Sequence, residues 1–445
     1  MVLDAADGGD ASVFVRVGAP RRLQALGPLT AGDVHHITLS LARVDGPSEV
    51  ERGRVALTLG EWGRPVNVRH MRSRATYRLR AQAFGAPGDE PSSLLSERDA
   101  VASAIWRVED SAVLPPVSLQ VALRPVARLL LTTLVGDGTS GDTNGAALRA
   151  RLEAPAGLAV GTGGQVYVTE PSAHRIRVLS PEGELRTLTG GSPGYEDGPL
   201  AAARFRNPTG LAVDGQGVLY VADTGNRCIR RIPPAGAVET LTPVGIDATG
   251  LGSPAASFVE PVGLAVGSNG DLWVSDAGSN GIFRVASTGE VSLVAGGASG
   301  DSDGGGSGAG FRRPQGLACA PEGTVFVADT GNHRIRAVTP AGSVSTLAGG
   351  AEGLLDGFAD GARFRAPSWL ALDPAGQLYV ADTGNHCLRR VAPTGYVFTL
   401  IGAGAGRRDG GRDEARLNSP AGLGLDGAFR LFVVDGRNHA LRLLQ

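Results

Sequence analysis

The sequence predicts an all-β chain: a six-bladed β-propeller preceded by a β-sandwich. Three observations predict it. One apolar step recurs every 53 residues, further short apolar runs separated by glycine turns follow each recurrence, and the two ends of the array together complete one unit. Composition agrees, since 67 glycines and 27 prolines among 445 residues suit many short strands joined by tight turns.

Residues 1–125 come first. Residues 1–11 read as a polar tail, of the kind left after a signal or lipoprotein leader. Runs then follow at 12–17, 36–44, 54–59, 77–84, 104–108 and 118–123, several with strict period-2 alternation (Ile37/Leu39/Leu41; Tyr77/Leu79/Ala81/Ala83). That many strands without a helical period predict a sandwich, and the stretch resembles immunoglobulin-like or fibronectin-III-like modules. His35, His36 and His70 read as surface or strand residues.

Residues 126–445 hold the array. Its marker is Gly157-Leu158, Gly210-Leu211, Gly263-Leu264, Gly316-Leu317, Trp369-Leu370 and Gly422-Leu423, each 53 residues after the last. Runs such as Leu219-Tyr220-Val221 and Leu378-Tyr379-Val380 follow, then a third run carrying Ile176, Ile229, Ile282, Ile335, Leu388 and Leu441, then a fourth. Short β-branched and aromatic runs bounded by glycine are strands, and four antiparallel strands make a propeller blade. From Arg128 to Gln445 there are 318 residues, six periods of 53. The last marker leaves room for only three strands, so a strand at 129–135 is expected to complete the sixth blade and cover its edge.

The segments Tyr220–Asn226, Phe326–Arg336 and Tyr379–His386, each containing Val-Ala-Asp-Thr-Gly-Asn, resemble NHL repeats, as does Asp356-Gly357 with Ala362-Arg363-Phe364 and Pro367. The resemblance implies a six-bladed propeller of the kind found in bacterial exported proteins, sensor ectodomains and RNA-binding proteins. Blade one departs with Glu170 and Ala173, blade three with Ser279-Asn280-Gly281, and blade five with Trp369.

Repetition also sorts the candidate sites. Asp223, Asp276, Asp329, Asp382 and Asp435 form a column, which reads as capping of the turn that follows each. His174, His333, His386 and His439 form another; ligands spread round a ring cannot converge on one metal, so a local tie from turn to strand is expected and no metal site is assigned. Gly300-Asp301-Ser302-Asp303-Gly304 is similar to part of a calcium loop but lacks its downstream glutamate. Cys228, Cys319 and Cys387 read as packing residues, since Cys228 and Cys387 fall in one register position three blades apart.

Recognition is expected on the loop face. Arg206, Arg312, Arg313 and Arg365 stand just before inner strands, Trp369 begins one, and Tyr195 lies in a connecting loop; together they are the candidate binding set. Two readings stand side by side. The arginines pair with loop acids and pin the loops, or they surround the channel mouth and hold an acidic or planar ligand. Trp369 either fills the channel or contacts that ligand.

The inner strands read GLAV, GLAV, GLAV, GLAC, WLAL and GLGL, without the acids or histidines of related metal-bearing propellers. The expectation is therefore a non-catalytic, monomeric, exported binding protein, periplasmic, cell-surface or secreted, with no cofactor. Its partner would be a protein, peptide or carbohydrate. The alternative is a metal-dependent hydrolase or lyase using the central channel. Formal net charge is −2, with all 42 basic residues arginine, so nothing steers the whole chain onto nucleic acid. No apolar run reaches membrane-spanning length.

Overall fold

A computed structural model describes residues 129–241, 258–287, 290–393, 395–402, 404–412 and 414–445, together with the backbone of eight strands before residue 129. Met1–Arg128 and Leu129–Gln445 are separate compact units. In the first unit the described strands form two four-stranded sheets. One includes Val2–Asp4, Ala11–Gly18, Pro65–Met71 and Val117–Gln120; the other includes His36–Arg43, Val50–Thr58, Thr76–Phe84 and Ala102–Arg107. How the two sheets face each other, and His35, lie outside the described residues, as do the side chains of His36 and His70.

Six antiparallel sheets make up the second unit, a six-bladed propeller. Inner strands are Leu158–Val160, Pro208–Val213, Pro261–Val266, Pro314–Cys319, Pro367–Leu372 and Pro420–Leu425. The marker glycines exist because neighbouring inner strands nearly touch. A Cβ at Gly210 would sit 2.0 Å from the Val262 carbonyl oxygen, and one at Gly157 would sit 1.9 Å from that of Thr209.

Blade six is composite. Ala440–Leu444 pairs antiparallel with Leu131–Val135, in register Leu444↔Leu131 and Leu441↔Val135. Leu131 also exchanges backbone bonds with Gly410 at 3.0 Å in both directions, so the strand is bonded on both edges.

Blades one, two, four and five carry a fifth, two-residue strand that the four-strand expectation did not include: Gly145–Ala146, Gly198–Pro199, Gly304–Gly305 and Gly357–Phe358. The incoming loop lies along the outermost strand and covers its open edge. Residues 242–257, the corresponding loop of blade three, lie outside the described residues. Further along these loops a second 53-residue column, Leu152, Phe205, Phe258, Phe311, Phe364 and Leu417, is buried between blades.

Candidate functional site

One face of the disc carries the connecting loops and the Asp-Thr-Gly-Asn turns, and the charge on that face is organised by a buried arginine. Arg177, Arg230, Arg336, Arg389 and Arg442 sit at one position of the third strand, each 0% exposed. Arg336 is representative. One of its terminal nitrogens donates to Asp329 at 2.9 Å and to the Gly310 carbonyl at 3.0 Å; the other donates to Asp303 at 2.7 Å and to the Ser302 carbonyl at 2.8 Å. Its guanidinium lies over the Phe311 ring, 5.1 Å from the centroid.

Asp303 in turn accepts from the Thr346 backbone N–H and hydroxyl, both at 3.0 Å, which holds the loop against the outer strand and forms the fifth strand beside it. Partial burial of Asp303 is outweighed by these donors and Arg336, so its carboxyl lies below the usual range. Asp301 pairs with Arg334 at 3.1 Å, so both acids of the calcium-like loop are engaged by arginine. The same bridge recurs as Asp197–Arg230–Asp223, Asp356–Arg389–Asp382 and Asp409–Arg442–Asp435.

The Asp column differs from its expected role. In blades two, four, five and six the carboxylate accepts no bond from its following turn's backbone. It accepts the backbone N–H just before the inner strand (Arg206, Arg312, Arg365 or Asn418, 2.7 to 2.8 Å), the Asn amide of the turn and the buried arginine. Burial raises the carboxyls of Asp223, Asp329, Asp382 and Asp435, and these donors pull them back. Only blade three follows the turn-capping expectation. There Phe283 stands where the arginine would be, and Asp276 accepts the backbone N–H groups of Gly278 and Ser279 as well as those of Val259 and Glu260.

The histidines tie blade to blade, not turn to its own strand. Each sits at positive φ and accepts a backbone N–H of the next blade on Nδ1: Asn207 to His174, Ala366 to His333, Ser419 to His386 and Ala154 to His439, at 3.0 to 3.1 Å. In blade three Asn280 performs the same task, its amide oxygen accepting from Arg313 at 2.9 Å. Burial, then the charges of Arg437 and Arg365, lower the His386 pKa from its usual value. The unfolded chain, near the ordinary histidine value of 6.5, therefore binds the proton more tightly. The contribution of His386 is complete above that value and drains away as pH falls below it. We expect His386→Asn, which keeps an acceptor but cannot titrate there, to lose less stability than the parent between pH 7 and pH 5.5. Urea midpoints at the two pH values measure this; an unchanged difference counts against it.

The candidate binding residues separate into two groups. Trp369 is 7% exposed and shares one buried cluster with Val262 and Ala277 of blade three, so its indole fills space about the axis. The four arginines and Tyr195 are exposed. Arg313 pairs with Glu260 and Arg365 with Glu352, both at 2.6 Å, whereas among the described residues no ion pair engages Arg206 or Arg312. The side chains of Arg206, Arg312 and Arg365 each cross a turn glycine, where a Cβ at Gly225, Gly331 or Gly384 would lie 2.6 Å from the arginine Cγ. Tyr195 packs its ring 5.2 Å from the Arg230 guanidinium. Burial pushes the Cys228 and Cys319 thiols up to about 12 and raises that of Cys387 well above its ordinary value, consistent with packing roles.

The fold is a six-bladed β-propeller, and comparison with known proteins shows that it carries NHL repeats. The NHL repeat profile matches residues 205–232, 311–337 and 364–390. NHL repeat-containing protein 2 of Bos taurus is 30% identical over 325 residues, covering 63% of this chain and 44% of the relative. The chain thus spans less than half of that protein's length. A gluconolactonase of Zymomonas mobilis is 25% identical over 177 residues, covering 37% of this chain and 45% of the relative. Among solved structures, an auxiliary nutrient binding protein of Bacteroides thetaiotaomicron superposes with a TM-score of 0.56 at 16% identity, covering 99% of both chains, which is a likeness of fold.

Proposed function

We propose that this propeller is a non-catalytic recognition disc whose loop face binds an acidic protein, peptide or glycan. The observation that carries the reading is the division of labour among charged side chains. The column acids, the third-strand arginines and the histidines are committed to holding blades and loops together, while Arg206 and Arg312 stand exposed and outside any ion pair among the described residues. Exposed guanidiniums on a rigid scaffold suit carboxylate or phosphate recognition, because little ordering cost remains to be met on binding. Trp369 serves as an axial plug, with Tyr195, Arg313 and Arg365 at the rim. Residues 1–125 are read as an immunoglobulin-like sandwich, a spacer or second contact module, and an exported location belongs to the same reading. The test is a screen of the full chain against immobilised acidic glycans and peptides. A captured ligand should be lost by the Arg206→Glu/Arg312→Glu variant; retention by that variant overturns the assignment.

The resemblance to a gluconolactonase favours a second reading, a metal-dependent hydrolase using the channel. Elemental analysis of the purified chain together with lactone hydrolysis distinguishes the two. Stoichiometric metal with turnover supports the enzyme.

A further inference from the structure

Among the described residues, every seam between neighbouring blades but one carries a hydroxyl bolt. Thr224, Thr330 and Thr383 donate to the carbonyl oxygens of Pro261, Pro367 and Pro420 in the next blade, at 2.6 to 2.7 Å. Where blade one has Pro171 and blade three Ala277 instead, the hydroxyl moves two residues back: Thr169 donates to the Thr209 carbonyl at 2.7 Å, and Ser275 donates to that of Gln315. Blade six has Val434 and Gly436 at these two positions, and neither can donate from its side chain. The seam between blades six and one is instead joined by backbone, Gly422 N–H to the Ala156 carbonyl at 2.7 Å, and by the His439 bond to Ala154.

The missing bolt leaves space. A hollow of about 480 Å³ opens there, bounded by Pro155, Asn418, Gly436, Arg437 and His439 among others. A Cβ at Gly436 would stand 3.2 Å from the carbonyl oxygens of Pro155 and Ser419. Pro155 occupies the position of Pro261, Pro367 and Pro420, so its oxygen faces the hollow without the hydroxyl its counterparts receive.

Charge has been exchanged at the same place. Blades two, four and five have arginine before the inner strand and glycine in the turn; blade six has Asn418 before the strand and Arg437 in the turn. Arg437 is exposed, lines the hollow, and no ion pair engages it among the described residues.

We propose that this hollow is a binding site for a small hydroxylated carboxylate of sugar-acid size. The ligand's hydroxyl donates to the Pro155 oxygen in place of the absent threonine, and its carboxylate meets the Arg437 guanidinium. The volume lies in the range of small-molecule sites. Arg206, Arg312 and Arg365 line none of it, so this site stands or falls separately from the recognition face.

Calorimetric titration of the full chain with galacturonate, galactose and hexanoate tests the proposal, since the last two each lack one of the two required groups. Galacturonate should bind at least tenfold more tightly than either. Arg437→Ala should weaken it at least tenfold. Gly436→Thr should abolish binding while raising the urea midpoint, because it restores the bolt and fills the hollow; that rise separates blocking from misfolding. Equal binding of galactose or hexanoate, no binding of galacturonate, or parental affinity in Gly436→Thr would each overturn the site.

Discussion

Replacing Arg336 with methionine should cost about 3–5 kcal/mol of stability, an effect out of proportion to one side chain in a unit of this size. The guanidinium is fully buried and satisfies two carboxylates and two carbonyls at once. Methionine fills much of the volume but leaves Asp329, itself 0% exposed, facing its remaining neutral donors without a cation. Asp303 loses the same partner, and with it the loop loses its anchor at the outer edge of blade four. Arg231 provides the contrast. It pairs with Glu239 at 2.7 Å, but the two side chains are 48% and 45% exposed, so Arg231→Ala should cost less than about 1 kcal/mol. Urea denaturation of the two variants beside the parent measures both. If Arg336→Met and Arg231→Ala shift the midpoint equally, the buried bridge is not what holds the loop.

Blade three shows how such a bridge can be dispensed with, and also why the sequence concealed it. Phe283 replaces the arginine, Ser279 replaces the asparagine, and Gly250 stands where the loop aspartate would be, so three parts of one device are missing together. The clue was present in the repeat, since the arginine follows the third-strand isoleucine or leucine in five of six blades. Hydrophobic periodicity found the strands because it is a local pattern. It could not find a bond between residues 33 apart, as in Asp303–Arg336, or 43 apart, as in Asp303–Thr346. The Asp and His columns are visible as columns and read as local ties, but only the Asn amide three residues on is local: the Asp carboxylate also takes a backbone N–H 17 residues away, and the His takes one 33 residues away. The same limit applies to the hollow beside Gly436. It is created by what blade six lacks, and becomes visible only when the seams are compared in three dimensions.

The joining strand should be the most sensitive part of the ring. Leu131 and Val135 are each 0% exposed, packed in the two clusters that flank blade six. Leu131→Asp/Val135→Asp in the full chain buries two unpaired carboxylates, a change expected to cost more than about 5 kcal/mol. The alternative open to the chain is to release 131–135 from Ala440–Leu444, which also breaks the Thr133 bonds to Asp409 at 2.8 and 3.0 Å and the Leu131–Gly410 pair. The freed edge of the C-terminal strand would then present unpaired backbone groups to other chains. We expect the variant to lose hydrogen-exchange protection at residues 440–444 first and to elute as aggregate in size-exclusion chromatography. Thr132→Asp, at a half-buried position between the two, should leave the monomer intact. Because the pairing joins residues more than 300 positions apart in sequence, such as Thr132 and Leu443 with 311 between their numbers, restoring it demands that the preceding blades be arranged first, so refolding should be slowed along with the loss of stability. A double-aspartate variant that stays monomeric with protected amides at 440–444 would mean that the ring is held shut elsewhere.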